Sequence, residues 1–516
     1  MQALPDKLYT VDSVVKLEQL AITEHGISAY ELMKRAAAVV FNVLKNRFPE
    51  CKKTLVICGA GNNAGDGYVV AALAKQAGIE VSLLSLVSSD SLTGAALLAY
   101  NDWCRLLVDE DKTESVLTKL AIPEDTDVII DAMLGTGLKR LLTSSWYDCI
   151  EKINQSNKPV ISIDIPSGLY ANTGSLAGIA VQADITVTFI GLKQGMFTAQ
   201  GKDVCGEIVF DKLSLPDNIY STVKFDARLI TEINYALLPK RKASAHKGCF
   251  GHVLIVGGNS GMPGAVILSA RAALRAGAGL VTIITIAENA EVISAAVPEA
   301  MLRLCDDETV DNVLKENFSS EVTHVAVGMG LGQDAWALSL LQQCIQLNKP
   351  LLIDADGLNL LARHNLSVSC ELIITPHPGE AGRLLNSSPT EVSLKNTSAT
   401  IQEDRFAAVV KLYEKFKSNY GLVVILKGSG TLIYDGHMTK VCNLGTSAMA
   451  APGMGDVLSG ILVALMAQNS SENVSLSDIA ELGTCLHASA AQLSSGDKTR
   501  GLLASDVVDS LKAVLQ

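Results

Sequence analysis

Short apolar runs that stop at a glycine or a carboxylate set the terms on which this chain can fold. Thr54-Leu-Val-Ile-Cys58 ends in Gly59-Ala-Gly-Asn-Asn-Ala-Gly-Asp-Gly67, and His252-Val-Leu-Ile-Val256 ends in Gly257-Gly258. Runs this short, without polar alternation, suit strands buried on both faces by helices. Similar runs recur at 81–86, 127–131, 159–165 and 185–189, and again at 281–284, 324–327, 350–354, 372–375 and 423–426. Helical periodicity fills the intervals. Ser28 caps a predicted helix over 29–44, a second begins near Tyr68, and a third spans 265–276. Strand–helix alternation predicts an α/β fold with mostly parallel sheets. The chain has 516 residues, enough for two such domains, and its periodic pattern fades between about 212 and 242. The boundary is expected near residue 225, giving domains 1–224 and 225–516.

Functional groups of a parallel sheet gather beyond the carboxyl ends of its strands. Three polar clusters stand there in the first half: Asn62, Asn63 and Asp66; Asp131 with the Gly135-Thr136-Gly137 loop; and Asp164 with Ser167. Asn63, Asp131 and Ser167 are hard oxygen donors, which suit Mg²⁺, Ca²⁺ or an alkali ion rather than zinc. Asp164 closes a buried strand, where partial desolvation is expected to raise its pKa toward that of a useful base. The plainer alternative is turn chemistry, with Asn and Asp bonding their own backbone.

In the second half, Pro452-Gly453-Met454-Gly455-Asp456 opens a strongly apolar helix. The first amides of a helix lack intrahelical partners and carry partial positive charge, so a glycine-flanked helix start accepts phosphate. Lys427 and the turn Gly428, Ser429, Gly430 and Thr431 supply a point charge and further amides for a nucleotide phosphate. Asp456 opposes such an anion. Taking a proton from a hydroxyl as phosphoryl moves to it is the chemistry that justifies an acid there. An Asp helix cap beside a glycine turn is the bland alternative.

Composition removes other classes. The net charge is −12 with no basic stretch to offset it, which excludes nucleic acid as a bulk partner. Eleven cysteines, scattered singly with no Cys-x-x-Cys, fit a reduced cytoplasm. No apolar run reaches the ~18–20 residues of a membrane span, and no secretory h-region is visible, so a cytoplasmic location is expected.

Gly61-Asn-Asn-Ala-Gly-Asp-Gly67 and Ile163-Asp-Ile-Pro-Ser-Gly168 resemble the signatures of the NAD(P)HX epimerase family. These are Rossmann-like proteins that interconvert the R and S forms of hydrated NADH and NADPH. The resemblance implies a K⁺ site at Asn63, Asp131 and Ser167. It implies substrate contacts from Asn62, Asn63, Ala64, Gly65 and Asp66, and from Asp164. The loop Gly135, Thr136, Gly137, Leu138, Lys139, Arg140 and Leu141 is implied as well. The hydrate is epimeric at carbon 6, which gives Asp164 a proton-relay role. Ala64 stands where the family usually has Gly.

Gly257-Gly-Asn-Ser-Gly-Met-Pro-Gly-Ala265, Gly328-Met-Gly-Leu-Gly332, Asp354-Ala-Asp-Gly-Leu-Asn359 and Thr375-Pro-His-Pro-Gly-Glu380 follow in sequence. With Lys427–Thr431 and Gly453–Asp456, their order resembles the ADP/ATP-dependent NAD(P)HX dehydratases, of ribokinase-like fold. That resemblance implies hydrate contacts at Ala265, Gly330, His377 and Asp456, and nucleotide contacts at 427–431 and Gly455. Asp456 becomes the base. Ala451 and Pro452 depart from positions usually held by Thr and Gly.

Together the resemblances imply a bifunctional NAD(P)H-hydrate repair enzyme. Its epimerase makes both epimers available, and its dehydratase consumes the S epimer while ADP becomes AMP and phosphate. Mg²⁺ is expected with the nucleotide, and a homo-oligomer is expected. The fused order looks prokaryotic, for which the resemblance implies ADP rather than ATP. Two rivals stay open: a ribokinase-like kinase of a small hydroxyl compound such as a vitamin precursor, and a nucleotide-binding partner protein without chemistry.

Overall fold

The computed structural model describes residues 4–107, 122–238, 240–306, 321–386, 397–469 and 474–515, with 310 and 314. The chain divides into two compact units, Met1–Arg228 and Leu229–Gln516.

In the first unit, β1 (Lys7–Tyr9) precedes the main sheet. That sheet is built from β2 (Lys53–Cys58), β3 (Glu80–Ser85), β4 (Val128–Ala132), β5 (Val160–Ile163), β6 (Ile185–Phe189) and β8 (Glu207–Asp211). Their order is β3-β2-β4-β5-β6-β8, with every pair parallel. β7 (Leu192–Lys193) pairs instead with β1, which also pairs antiparallel with β9 (Ala227–Ile230) through Ala227 and Arg228. Successive side chains of β2 enter opposite layers. Leu55 and Ile57 pack with Cys149, Ile150 and Ile153, whereas Val56 and Cys58 pack with Ala36, Ala37 and Val40. The strand is therefore apolar throughout because both faces are covered. Helix α1 (Val11–Thr23) is capped by Thr10, and α2 (Ala29–Arg47) by Ser28, whose Oγ accepts from Glu31 N at 3.2 Å.

The next helix, α3 (Asn62–Gln76), starts six residues earlier than its sequence indicates. Asn and Gly in this stretch favour a turn, but tertiary contact overrides propensity. A Cβ on Gly65 would lie 2.6 Å from Met33 Sδ, and one on Gly67 would lie 2.5 Å from Ala132 Cβ. The glycines let α3 begin directly against the sheet. β5 also stops early, at Ile163, because Asp164 turns into the left-handed region at φ 68°.

The second unit carries β10 (His252–Val256), β11 (Leu280–Thr285), β12 (Met301–Leu304), β13 (His324–Val327), β14 (Leu351–Ile353), β15 (Leu372–Ile374) and β16 (Leu422–Leu426). They run parallel in the order β12-β11-β10-β13-β14-β15-β16. An antiparallel hairpin, β17 (Thr431–Tyr434) and β18 (Thr439–Cys442), then extends the sheet. Neither β12 nor this hairpin was anticipated from sequence, although Asp435-Gly436 between the two hairpin strands is a turn signal. Helix Met454–Gln468 is buried along most of its length. Gly460 lets it meet helix Pro263–Ala276 backbone to backbone, since a Cβ there would sit 2.1 Å from Ser269 O.

All eleven cysteines are free thiols. Among the described residues, no helix is long and apolar enough to cross a membrane.

Candidate active sites

In the first unit, the carboxyl ends of β2, β4 and β5 open into a cavity of about 690 Å³. Asn62, Asn63 and Asp66 from the start of α3, Gly135 to Arg140 from the loop after β4, and Asp164 line it. Three of the expected contacts lie elsewhere. Ala64 is fully buried and Gly65 packs on Met33, while Leu141 is 68% exposed and outside the cavity wall. Ala64 in place of glycine therefore sits in the helix-packing face, not in the cavity.

Asp131 is fully buried and accepts from Ser162 Oγ at 2.8 Å, Ser167 N at 2.9 Å, Ser167 Oγ at 2.5 Å and Met133 N at 3.3 Å. Burial still holds its carboxyl above the usual range. Leu134 N donates to Ser167 Oγ at 2.8 Å, and the next residue, Gly135, lies against Asn63. Asn63 is buried with both Oδ1 and Nδ2 unpartnered. A buried amide without partners is costly, so this side chain is waiting for a ligand or an ion. The donors assembled here are all oxygens apart from amide N–H groups, which fits an alkali ion.

Asp164 is held in an ion pair. The Lys193 ammonium, at 1% side-chain exposure, rests on the Asp164 carboxylate, and its remaining donors go to Thr188 Oγ1 at 3.1 Å and Phe189 O at 3.0 Å. Asp164 and Ile190 both hold positive φ, at 68° and 66°. Such backbone is unfavourable for a β-branched residue and persists where surrounding structure demands it. Both residues line the cavity. Asp66 faces the same region, and burial, reinforced by Asp164 and Glu18, raises its carboxyl well above the usual range.

The second site gathers after β10, β13, β14, β15 and β16. Gly330 nests against Ala265, with an ideal Cβ only 3.0 Å from Ala265 Cβ. His377 caps helix Pro378–Leu385, its Nδ1 accepting from Gly379 N at 3.0 Å while His377 N donates to Glu380 Oε2 at 2.8 Å. Burial, aided by Lys427, holds the imidazole below its ordinary pKa. Lys427 Nζ lies 2.7 Å from Asp354 Oδ1 and 3.9 Å from Glu380 Oε2. Burial pushes the ammonium down, but Asp354 and Glu380 reverse that and leave it raised. Ser459 Oγ donates to the other Asp354 oxygen at 2.8 Å. A Cβ on Gly455 would sit 3.2 Å from Lys427 Nζ and 3.4 Å from Asp354 Oδ2, so the helix start packs closely on this ion pair. Asp456 lies one residue further along, and burial, reinforced by Asp354, raises its carboxyl to about 7. That value suits a base working near neutrality.

Residues 253–513 match the NAD(P)H-hydrate dehydratase family, and residues 29–195 match the YjeF-related protein N-terminus. A bifunctional NAD(P)H-hydrate repair enzyme of Coxiella burnetii is 41% identical over 515 residues, covering 98% of this chain and 99% of its own. The chain belongs to the bifunctional NAD(P)H-hydrate repair enzyme family. Both units are α/β, each built on a mainly parallel sheet. A Leishmania major repair enzyme is 34% identical, covering 96% of this chain and 91% of its own. Bifunctional repair enzymes similar to this chain are thus found in bacteria and in Leishmania. Among solved structures, the NAD(P)H-hydrate dehydratase of Bacillus subtilis co-crystallized with ATP and Mg²⁺ is 25% identical. It covers 54% of this chain and 94% of its own at a TM-score of 0.47.

Sequence reasoning missed Lys193 and Arg405 in this repair-enzyme chain, and quoted Glu380 within the Thr375–Glu380 motif without giving it a role. Arg405 is fully buried, with Nη2 donating to Leu426 O at 3.0 Å and both Nη atoms donating to Lys427 O at 3.3 Å. It gathers the carbonyls of the strand end on which Lys427 sits, and fills the space that a Cβ on Gly428 would need. Burial lowers its guanidinium pKa to about 10.

Pro452 does not open the helix, as the sequence suggested. Gly453 is the cap, at φ 82°, and the first intrahelical bond runs from Val457 N to Gly453 O at 3.1 Å. The amides of Met454, Gly455 and Asp456 precede that bond, while Pro452 lies outside and exposed. Its missing N–H costs the helix start nothing. Pro452→Gly is expected to change dehydration kcat/KM by less than about tenfold, or ~1.4 kcal/mol. Steady-state kinetics on both proteins checks this, and a larger gain for glycine would reveal a weakened site.

Proposed function

We propose that the first unit interconverts R- and S-NAD(P)HX around Asp164. The second unit converts S-NAD(P)HX to NAD(P)H while ADP becomes AMP and phosphate. Family membership favours repair over the kinase and binder readings. The observation that carries the chemistry is Asp456: a carboxyl near neutrality, at an amide-rich helix start, beside a buried lysine.

In this mechanism Asp456 takes the proton from the carbon 6 hydroxyl of the hydrate. The oxygen attacks the terminal phosphorus of ADP, and AMP leaves. The nitrogen lone pair of the ring then expels phosphate, and loss of a proton from carbon 5 restores the dihydropyridine. Lys427, the 428–431 turn and the amides around Gly455 hold phosphate charge, while Ala265, Gly330 and His377 hold the hydrate. Mg²⁺ with the nucleotide fits a site whose own carboxylates, Asp354, Glu380 and Asp456, would otherwise repel phosphate. In the epimerase cavity, Asn62, Asn63, Asp66, the loop from Gly135 and Asp164 hold the hydrate, and Asp164 moves its proton. We also propose a homo-oligomer, which light scattering tests.

The central experiment supplies a mixture of R- and S-NADHX with ADP, ATP or neither. Full return of NADH absorbance with ADP is expected. Consumption of neither epimer would leave the kinase or binder reading standing.

K⁺ is proposed at Asn63, Asp131 and Ser167, where the orphaned Asn63 amide and the buried carboxylate would share it and set the loop from Gly135 in place. Asp131→Ala should impair epimerisation and remove its K⁺ dependence, while dehydration of the S epimer continues. Epimerisation by parent and variant alike, with and without K⁺, would remove the ion from the proposal.

A further inference from the structure

Helix α1 lies outside the stretch that matches the N-terminal family, yet it forms part of the epimerase cavity. Two long-range bonds pin its start: Thr10 N to Asp226 Oδ2 at 2.8 Å, and Val11 N to Asn172 Oδ1 at 2.8 Å. Val14, Leu17 and Ala21 face the core. The neighbouring stripe, Val15, Glu18 and Ile22, faces the cavity at helical spacing. Glu18 is therefore a carboxyl between two aliphatic side chains, in the same cavity as Asp164 and Lys193.

We propose that Glu18 is a second acid–base residue of the epimerase, delivering a proton to the carbon 6 oxygen while Asp164 receives one. The proposal rests on the reading of this cavity as the epimerisation site. Configuration at carbon 6 can exchange by opening the ring at C6–N1 or by breaking and re-forming the C6–O bond, and an acid that protonates the hydroxyl serves the second route. Glu18 protonates the hydroxyl, which departs as water as the ring nitrogen lone pair forms an N1=C6 double bond. Water then adds to the opposite face of carbon 6 and gives its proton to Asp164. Running the steps backwards exchanges the two roles. No oxidant, reductant or co-reactant besides water is consumed.

The surroundings of the two carboxyls differ as this division of labour requires. Asp164 carries the Lys193 ammonium directly. Burial, with Asp164 adding to it and Lys193 opposing, raises Glu18 to about 7. The groups around Glu18 are Asp66 from α3, Asp164 after β5, Lys193 of β7, and Lys139 and Arg140 on the cavity wall. Three carboxyls around one buried ammonium cannot all ionise cheaply, so at least one stays protonated near neutrality.

The test measures epimerisation and its pH profile in the full chain with K⁺ present. Glu18→Gln should lower epimerisation kcat at least tenfold with KM within about threefold, and the limb of the profile near pH 7 should vanish. Glu18→Asp should restore part of the rate together with a limb. Dehydration of S-NADHX with ADP should be unchanged in both, as an internal check on the protein. Glu18→Gln with a parental rate and an intact limb would overturn the proposal if Asp164→Asn is inactive in the same assay. If Asp164→Asn is active too, the epimerase reading of the cavity falls with it.

Discussion

Replacing Asp456 with Asn is expected to lower dehydration of S-NADHX by the ~10²–10⁴ typical of a lost general base. Nucleotide binding should hold or tighten, because one negative charge leaves the neighbourhood of the phosphates. The pH behaviour has a definite sign. A base must be ionised, so kcat/KM of the parent rises through its pKa of about 7, and the variant loses that rise. Stability moves the other way. The folded pKa lies above the unfolded carboxylate value, so the folded state binds more protons between the two. The stability this group contributes is full below the unfolded pKa of about 4 and is lost as pH rises through about 7. Asp456→Asn escapes that loss. Its melting temperature at pH 8 should equal or exceed the parent's. A variant with near-normal turnover would end the assignment of Asp456 as base.

Asp164→Asn should be as severe in the other activity. Given both epimers and ADP, the parent returns all the hydrate as NADH. The variant should return the S fraction quickly and leave R to its spontaneous epimerisation, with enzymatic exchange down by ~10²–10⁴. The change also leaves the buried Lys193 ammonium without its carboxylate, which costs stability in its own right. Asp164→Asn with Lys193→Met removes both charges. The pair should regain melting temperature without regaining epimerisation. Recovery of exchange in the double variant would show that Asp164 matters only as the counter-charge of Lys193.

The apolar runs announced most of the sheet strands, because strands covered on both faces need no polar alternation to mark them. Helix starts were harder. Asn62 to Gly67 reads locally as a loop, and only contact with Met33 and Ala132 makes it the first turns of α3. The site residues divide in the same way. Asp131, Asp164 and Ser167 sit within compact motifs at strand ends and Asp456 at a glycine-flanked helix start, and the chain marks all four as candidates. Lys193 pairs with Asp164, 29 residues away, and Glu380 faces Lys427, 47 residues away, and their neighbours in the chain do not announce these pairings. Arg405 reads as an ordinary helix-starting residue. Its placement under the turn that carries Lys427 belongs to the packing of helix on sheet. Pro452 shows the converse: a motif letter that looked damaging lies outside the cap, where it has no amide to lose.

Two compact units on one polypeptide, each with its own constellation, have a kinetic corollary. Copy number is locked at one to one, so transcription and turnover of the protein cannot adjust exchange against removal. The balance between them rests on the two catalytic efficiencies and on supply of the phosphoryl donor. When that donor runs short, removal stalls while exchange continues, and the pool settles at its equilibrium ratio of epimers. When the donor returns, the S fraction falls first, and R drains only as fast as the first unit can refill it.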